Sequence, residues 1–177
     1  MKYVFLLIAG LAASGTHFYL VWHHRDNRRY SVSEYAMLTR KSHLLYFMAH
    51  IVCEVLYLAY SYQFLLVEHN LHVPFYLNVG WAILDLVQAT LPSRDRTEKI
   101  HFIAAYVSWC CFLLAGIITL STLHVAQPYT AVAITLLIPT LGMFAYMHIN
   151  RSKLYPYQLT MVPLFVLSML VVTIGSR

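Results

Sequence analysis

Residues 43–67 read HLLYFMAHIVCEVLYLAYSYQFLLV, an apolar and aromatic run that contains one acid, Glu54, and no lysine or arginine. As an α-helix it would be roughly 37 Å long, enough to cross a hydrocarbon core of about 30 Å. Five more runs near the spanning length flank it, at 3–22, 74–92, 100–122, 130–149 and 156–175, each bounded by charge or proline. Across its 177 residues the chain is 60% hydrophobic and 11% charged, against about 45–50% and about 25% in soluble domains. These figures exclude a water-soluble fold. The expectation is an all-α, polytopic membrane protein: a single domain, 1–177, of six transmembrane helices in one bundle.

Prolines fit that division. Pro74 and Pro128 stand at helix starts and Pro92 at a helix end, where a missing N–H is tolerated. Pro139 and Pro163 fall inside spans, where bends are expected in place of breaks. The first run imitates a signal peptide up to Ala13, but apolar character continues to Trp22 and the basic cluster follows it, so a retained helix is expected. Its small residues Ala9, Gly10, Ala13 and Ser14 are spaced for close helix contact.

Charge sets the orientation. Of the 12 lysines and arginines, all but Lys2 and Arg177 lie in three loops. Arg25, Arg28, Arg29, Arg40 and Lys41 follow the first run, Arg94, Arg96 and Lys99 the third, and Arg151 and Lys153 the fifth. The loops on the opposite side, 68–73 and 123–129, have none. By the positive-inside rule both termini face outside and the basic loops face the cytoplasm. In the longest loop, Ser31-Val-Ser-Glu34 is a capping-box pattern, predicting a helix from about Val32 that runs through Met37 and Leu38 into the second span.

The formal charge of +5 reflects those topological clusters, so nucleic acid is not an expected partner. Cys53, Cys110 and Cys111 lie within apolar runs, which argues against a disulfide framework. No span carries the lysine that retinal attachment needs, and no span repeats arginines as a voltage sensor would. Only His17 and His50 approach the matched depth that a bis-histidine haem requires.

Chemistry is expected where ionisable groups enter hydrocarbon, since such groups are kept mainly where they face a partner or a cavity. Counting from the cytoplasmic helix ends at 1.5 Å per residue, Glu54 lies about 16 Å deep, His50 and Asp85 about 10 Å, His17 about 8 Å and Ser108 about 12 Å. His50 and Glu54 share a face at i, i+4, and Asp85 and Gln88 share one at i, i+3. The resulting candidate is a cytoplasm-facing intramembrane pocket formed by His17, His50, Glu54, Asp85, Gln88, Ser108 and His101. It would serve a ligand-binding, transport-related or regulatory protein whose partners are membrane lipids and a small-molecule, lipid or ion ligand. The plainest reading gives His50 and Asp85 to each other as packing partners. The runner-up function is a zinc-dependent intramembrane lipid hydrolase with His17, His50 and Asp85 as ligands, zinc activating water beside Ser108.

One stretch carries a resemblance. Residues 91–105, LPSRDRTEKIHFIAA, join a Leu-Pro pair, a variable loop, a histidine and small residues in the pattern of six-helix membrane proteins related to the damage-regulated autophagy modulators. That resemblance implies a lipid-linked or regulatory membrane protein without established catalysis, and Pro92 and His101 are the positions that carry over. The extracellular features of the animal members are not seen in loop 68–73. The intramembrane Ser, His and Asp also resemble those of ceramidase and adiponectin-receptor hydrolases, whose extra helix and late histidine pair this sequence lacks.

Overall fold

The computed structural model describes residues 1–27, 29, 31–91, 97–149 and 155–176. Pro92 and the basic residues Arg28, Arg94, Arg96, Arg151, Lys153 and Arg177 lie outside them. Among the described residues the chain forms seven α-helices: α1 (Lys2–His23), α2 (Val32–Ala36), α3 (Arg40–Ser61), α4 (His72–Thr90), α5 (Glu98–Thr122), α6 (Gln127–Ile149) and α7 (Tyr155–Gly175). The extended pairing among them is one isolated bridge, Val125 to Ser176.

Five helices are long and apolar enough to cross a membrane: α1, α3 with its continuation to Glu68, α5, α6 up to Tyr146, and α7. The long helix α4 is left out because Asn78, Asp85 and Gln88 lower its mean hydropathy. All three are buried, so its polarity faces inward. Large apolar side chains such as Leu11, Val55, Ile83, Ile103 and Ile138 point outward from α1, α3, α4, α5 and α6.

Short turns set the helix order. Helix α3 continues as a π-helical segment, Tyr62–Glu68. It ends where Asn70, at φ 55°, takes the left-handed conformation that asparagine tolerates better than most residues. The amides of Asn70 and Leu71 close on the carbonyls of Leu66 and Leu65 at 3.2 and 2.7 Å, a helix-ending pattern that satisfies both acceptors. Packing then follows the chain: α1 against α3, α3 against α4, α4 against α5, α6 against α7, and α7 back against α1. Tyr106 of α5 stacks on Phe144 of α6 with centroids 5.7 Å apart, completing a six-helix ring in sequence order. Where α7 meets α1, a Cβ on Gly10 would lie 2.9 Å from Val166. That close approach is the use foreseen for the small residues of α1.

The capping box forms, with Ser31 Oγ accepting from the Glu34 amide at 3.3 Å. The helix it starts does not run into α3, contrary to the sequence expectation. It stops at Ala36, and α3 begins afresh behind Thr39, whose Oγ1 accepts from the Ser42 amide at 3.0 Å. A second cap outcompetes helical continuation because it satisfies donors at the start of the next helix. Val32, Tyr35 and Ala36 are buried, so α2 is a plug in the basic-loop end of the ring.

Candidate functional site

The sequence stacks polar residues on one face of α3, and the ring turns that face toward α1 and α4. His50 is the hub. Its Nδ1–H donates to Asp85 Oδ2, and its Nε2 lies 3.4 Å from His17 Nε2. Gln88 Nε2 donates to the other Asp85 oxygen, one turn along α4. Tyr46, one turn before His50, stacks on His17 with centroids 5.8 Å apart and leans on His50 at 4.2 Å. The equal depth of His50 and Asp85 on consecutive helices becomes direct contact.

Glu54 is the exception in this layer. It is 2% exposed, its Oε1 lies 3.4 Å from His50 Nδ1, and neither carboxylate oxygen has a hydrogen-bond partner. Burying such a group without partners is expensive. Counting Cα depth places Glu54 a full turn beyond His50, but helical side chains lean toward their helix N-terminus. On α3 that lean carries Glu54 back toward the level of Asp85; on α4, which runs the other way, it carries Asp85 toward Glu54. The Nδ1 of His50 and carboxylate oxygens of Glu54 and Asp85 accordingly lie within 4.8 Å of one another.

Of these three, His50 and Asp85 line a cavity of about 50 Å³, and Glu54 is not part of its wall. His17, His50, Asp85 and Gln88 line its polar half, nearer the basic-loop end, while Tyr57, Trp81 and Phe112 line the half toward the termini. Trp81 stacks on Phe112 at 4.7 Å and meets Tyr57 edge-on at 5.1 Å, so the aromatic side is packed shut. At the other end Val32 and Gln158 line the wall, and the Val32 amide donates to Gln158 Oε1 at 2.9 Å. This bond ties the α2 plug to α7.

Two residues expected in the pocket are used elsewhere. His101 is buried, but its Nδ1 donates to the carbonyls of Gln88 and Leu91, each at 3.0 Å, securing the end of α4. Ser108 Oγ donates to the Ala105 carbonyl of its own helix at 2.9 Å. The group able to close on one ion is also not the expected His17, His50 and Asp85. Glu54 takes the third place, and His17 sits against the opposite nitrogen of the His50 ring. Tyr46, Cys53 and Gln158 were missed. The i−4 spacing of Tyr46 and the i+3 spacing of Cys53 from His50 were available signals, whereas Gln158 has none.

Outside the layer, His24 Nε2 accepts from Ser42 Oγ at 2.7 Å, with Thr39 donating to that same hydroxyl. Burial, and then the neighbouring His23, hold the His24 imidazole below its ordinary value.

In comparisons with known proteins, no family model, no curated protein and no solved structure matches the chain.

Proposed function

We propose that this chain is an integral, multi-pass membrane protein whose buried polar layer binds a ligand of ion size, in a transport-related or regulatory role. The spanning helices are α1, α3, α4, α5, α6 and α7, with both termini outside. The outward apolar side chains support this reading, since water does not tolerate so continuous a patch on a soluble monomer. Helix α4 joins the others because its acid and amides face partners, which offsets the roughly 2.5–3.5 kcal/mol that a lipid-facing aspartate adds near a span centre. The bias of basic residues puts the α2 end, and with it the polar half of the cavity, toward the cytoplasm.

Glu54 carries the functional reading. A carboxylate that only filled space between helices would be matched by donors, as Asp85 is by His50 and Gln88. Glu54 is unmatched one turn from His50, which with Asp85 lines a cavity of about 50 Å³, far below the several hundred Å³ of small-molecule pockets but wide enough for an ion and a water. The zinc-dependent lipid hydrolase draws support from the His50, Glu54 and Asp85 group. Against it stand the cavity's size and the engagement of Ser108 with its own helix.

The test uses Cys53, which lines the cavity, as the reporter thiol in a Cys110→Ala, Cys111→Ala background. In oriented vesicles a small cationic methanethiosulfonate should modify Cys53 from the cytoplasmic face, faster than an anionic reagent of equal size. Modification from the opposite face only, or equal rates for both charges, would overturn the reading.

A further inference from the structure

We infer that the ion held in this pocket is a divalent first-row transition metal of the zinc class, bound by His50 Nδ1, Glu54 and Asp85. This rests on the pocket reading above and names its ligand. The three donors come from two rigid elements: His50 and Glu54 stand one turn apart on α3, and Asp85 faces them from α4. Their ligand atoms lie within 4.8 Å of one another. Around a zinc ion with bonds of about 2.0–2.2 Å, ligand atoms sit roughly 3–3.5 Å apart. The His50 to Glu54 separation of 3.4 Å already meets this. Asp85 gives up its hydrogen bond with His50: from the doubly protonated ring the ion replaces the Nδ1 proton, which leaves to solvent, while Nε2 keeps its proton toward His17.

Charge and surroundings agree with that assignment. One imidazole cannot neutralise two buried carboxylates, whereas a divalent ion balances both. Each side of the site except Glu54 also has a supporting contact of the kind that orients metal ligands. His17 meets the far nitrogen of the His50 ring at 3.4 Å, Tyr46 stacks on His17, and Gln88 fixes the second oxygen of Asp85. Glu54, buried and unpartnered, is the donor held ready. The cavity that His50 and Asp85 line leaves room for a water as a fourth ligand.

Donor chemistry sets the class of ion. One nitrogen with two carboxylates suits zinc, manganese, iron(II) or cobalt(II). Calcium takes six to eight oxygens and magnesium an octahedral oxygen shell, which three donors and a small cavity do not supply. Soft copper(I) prefers thiolate or thioether ligands.

The experiment adds Zn²⁺ alone to the purified, tag-free full chain in lipid nanodiscs, reads binding by calorimetry, and repeats it with Co²⁺ alone by visible absorption. One saturable site per chain is expected, weakened at least about tenfold by Glu54→Gln and by Asp85→Asn, and about 10–100-fold by Gln88→Ala through loss of ligand support. Calcium and magnesium should not compete. Glu54→Gln keeps the shape of the residue and removes no hydrogen bond, so it carries the test if Asp85→Asn fails to fold. Bound Zn²⁺ should also protect Cys53 from methanethiosulfonate. Absence of a one-to-one site, or binding indifferent to Glu54→Gln and so located on histidines such as His23 or His69, would overturn the assignment. If Cys53 is then still modified from the cytoplasmic face, the pocket reading stands and only the metal falls; if neither result is obtained, both fall.

Discussion

On α3 and α4 the polar side chains reach between helices: His50 to Asp85 and His17, Asn78 Nδ2 to Ser61 Oγ at 3.1 Å. On α6 and α7 most hydroxyls turn back on the main chain, although Thr173 Oγ1 also meets Tyr60 of α3 at 2.8 Å and Gln158 accepts from the Val32 amide. Thr135 Oγ1 donates to the Ala131 carbonyl at 2.8 Å and Thr140 Oγ1 to that of Leu136 at 3.0 Å, while Ser168 Oγ crosses only to the Ala133 carbonyl at 3.0 Å. No histidine, acid or base occurs in 128–147 or in 155–175. One half of the ring is therefore held by shape and the other by a polar network. In that network, both carboxylate oxygens of Glu54 are buried without a hydrogen bond.

The largest separation between the halves should come from Asp85→Ala. Removing it strands His50 and Gln88 together, and breaking a buried pair costs about 3–5 kcal/mol. Reversible unfolding in mixed micelles measures this. A double-mutant cycle with His50→Ala should show coupling of about 0.5–3 kcal/mol, and additive losses would dissolve the network. On the other half, sensitivity should be to size. Gly116 lies where a Cβ would sit 2.8 Å from Phe165 Cε2, in a contact whose Phe112 and Phe165 centroids are 3.8 Å apart. Gly116→Ala should cost about 1–3 kcal/mol in the same assay through overpacking.

Most of the helices were legible because long apolar runs bounded by charge or proline leave few alternatives to a helix. The expected runs at 3–22, 100–122, 130–149 and 156–175 each start within three residues of a helix start, with Pro139 and Pro163 inside continuous helices. The break after Ala36 was not legible, because two capping signals only a few residues apart, Ser31 and Thr39, compete and tertiary burial of α2 decides between them. Depth counting joined His50 to Asp85, and the i, i+4 spacing put Glu54 on the same face as His50, although Cα depth alone does not show how the lean of helical side chains brings it level with Asp85. His101 and Ser108 lie near the layer, yet whether a ring or hydroxyl faces a cavity or a carbonyl depends on rotamer and helix rotation. Periodicity does not record either.

Smaller effects sharpen the contrast. Gln158→Ala removes the bond that ties α2 to α7, worth about 1 kcal/mol, and should speed Cys53 modification by about fivefold. An unchanged rate would show that α2 does not cover the pocket. Ser168→Ala should cost only about 0.6 kcal/mol, the mean for such bonds between membrane helices. The smallest effect expected is from pH. The His24 imidazole is held below its ordinary value, so the folded state binds its proton less well than the unfolded state does. Stability should fall slightly as pH drops below the ordinary imidazole value of about 6.5, and the decline should be shallower in His24→Gln.

The most direct measurement is the unfolding free energy of Glu54→Gln against the parent chain in metal-free micelles. Both oxygens of Glu54 lack hydrogen bonds, so a residue retained for binding and not for packing should be replaced at no cost. Stability is expected to be unchanged within about 0.5 kcal/mol or raised, with helical content preserved. A loss of about 3–5 kcal/mol, the size expected for breaking a buried pair, would make Glu54 a structural member of the network and contradict the assignment of a binding site.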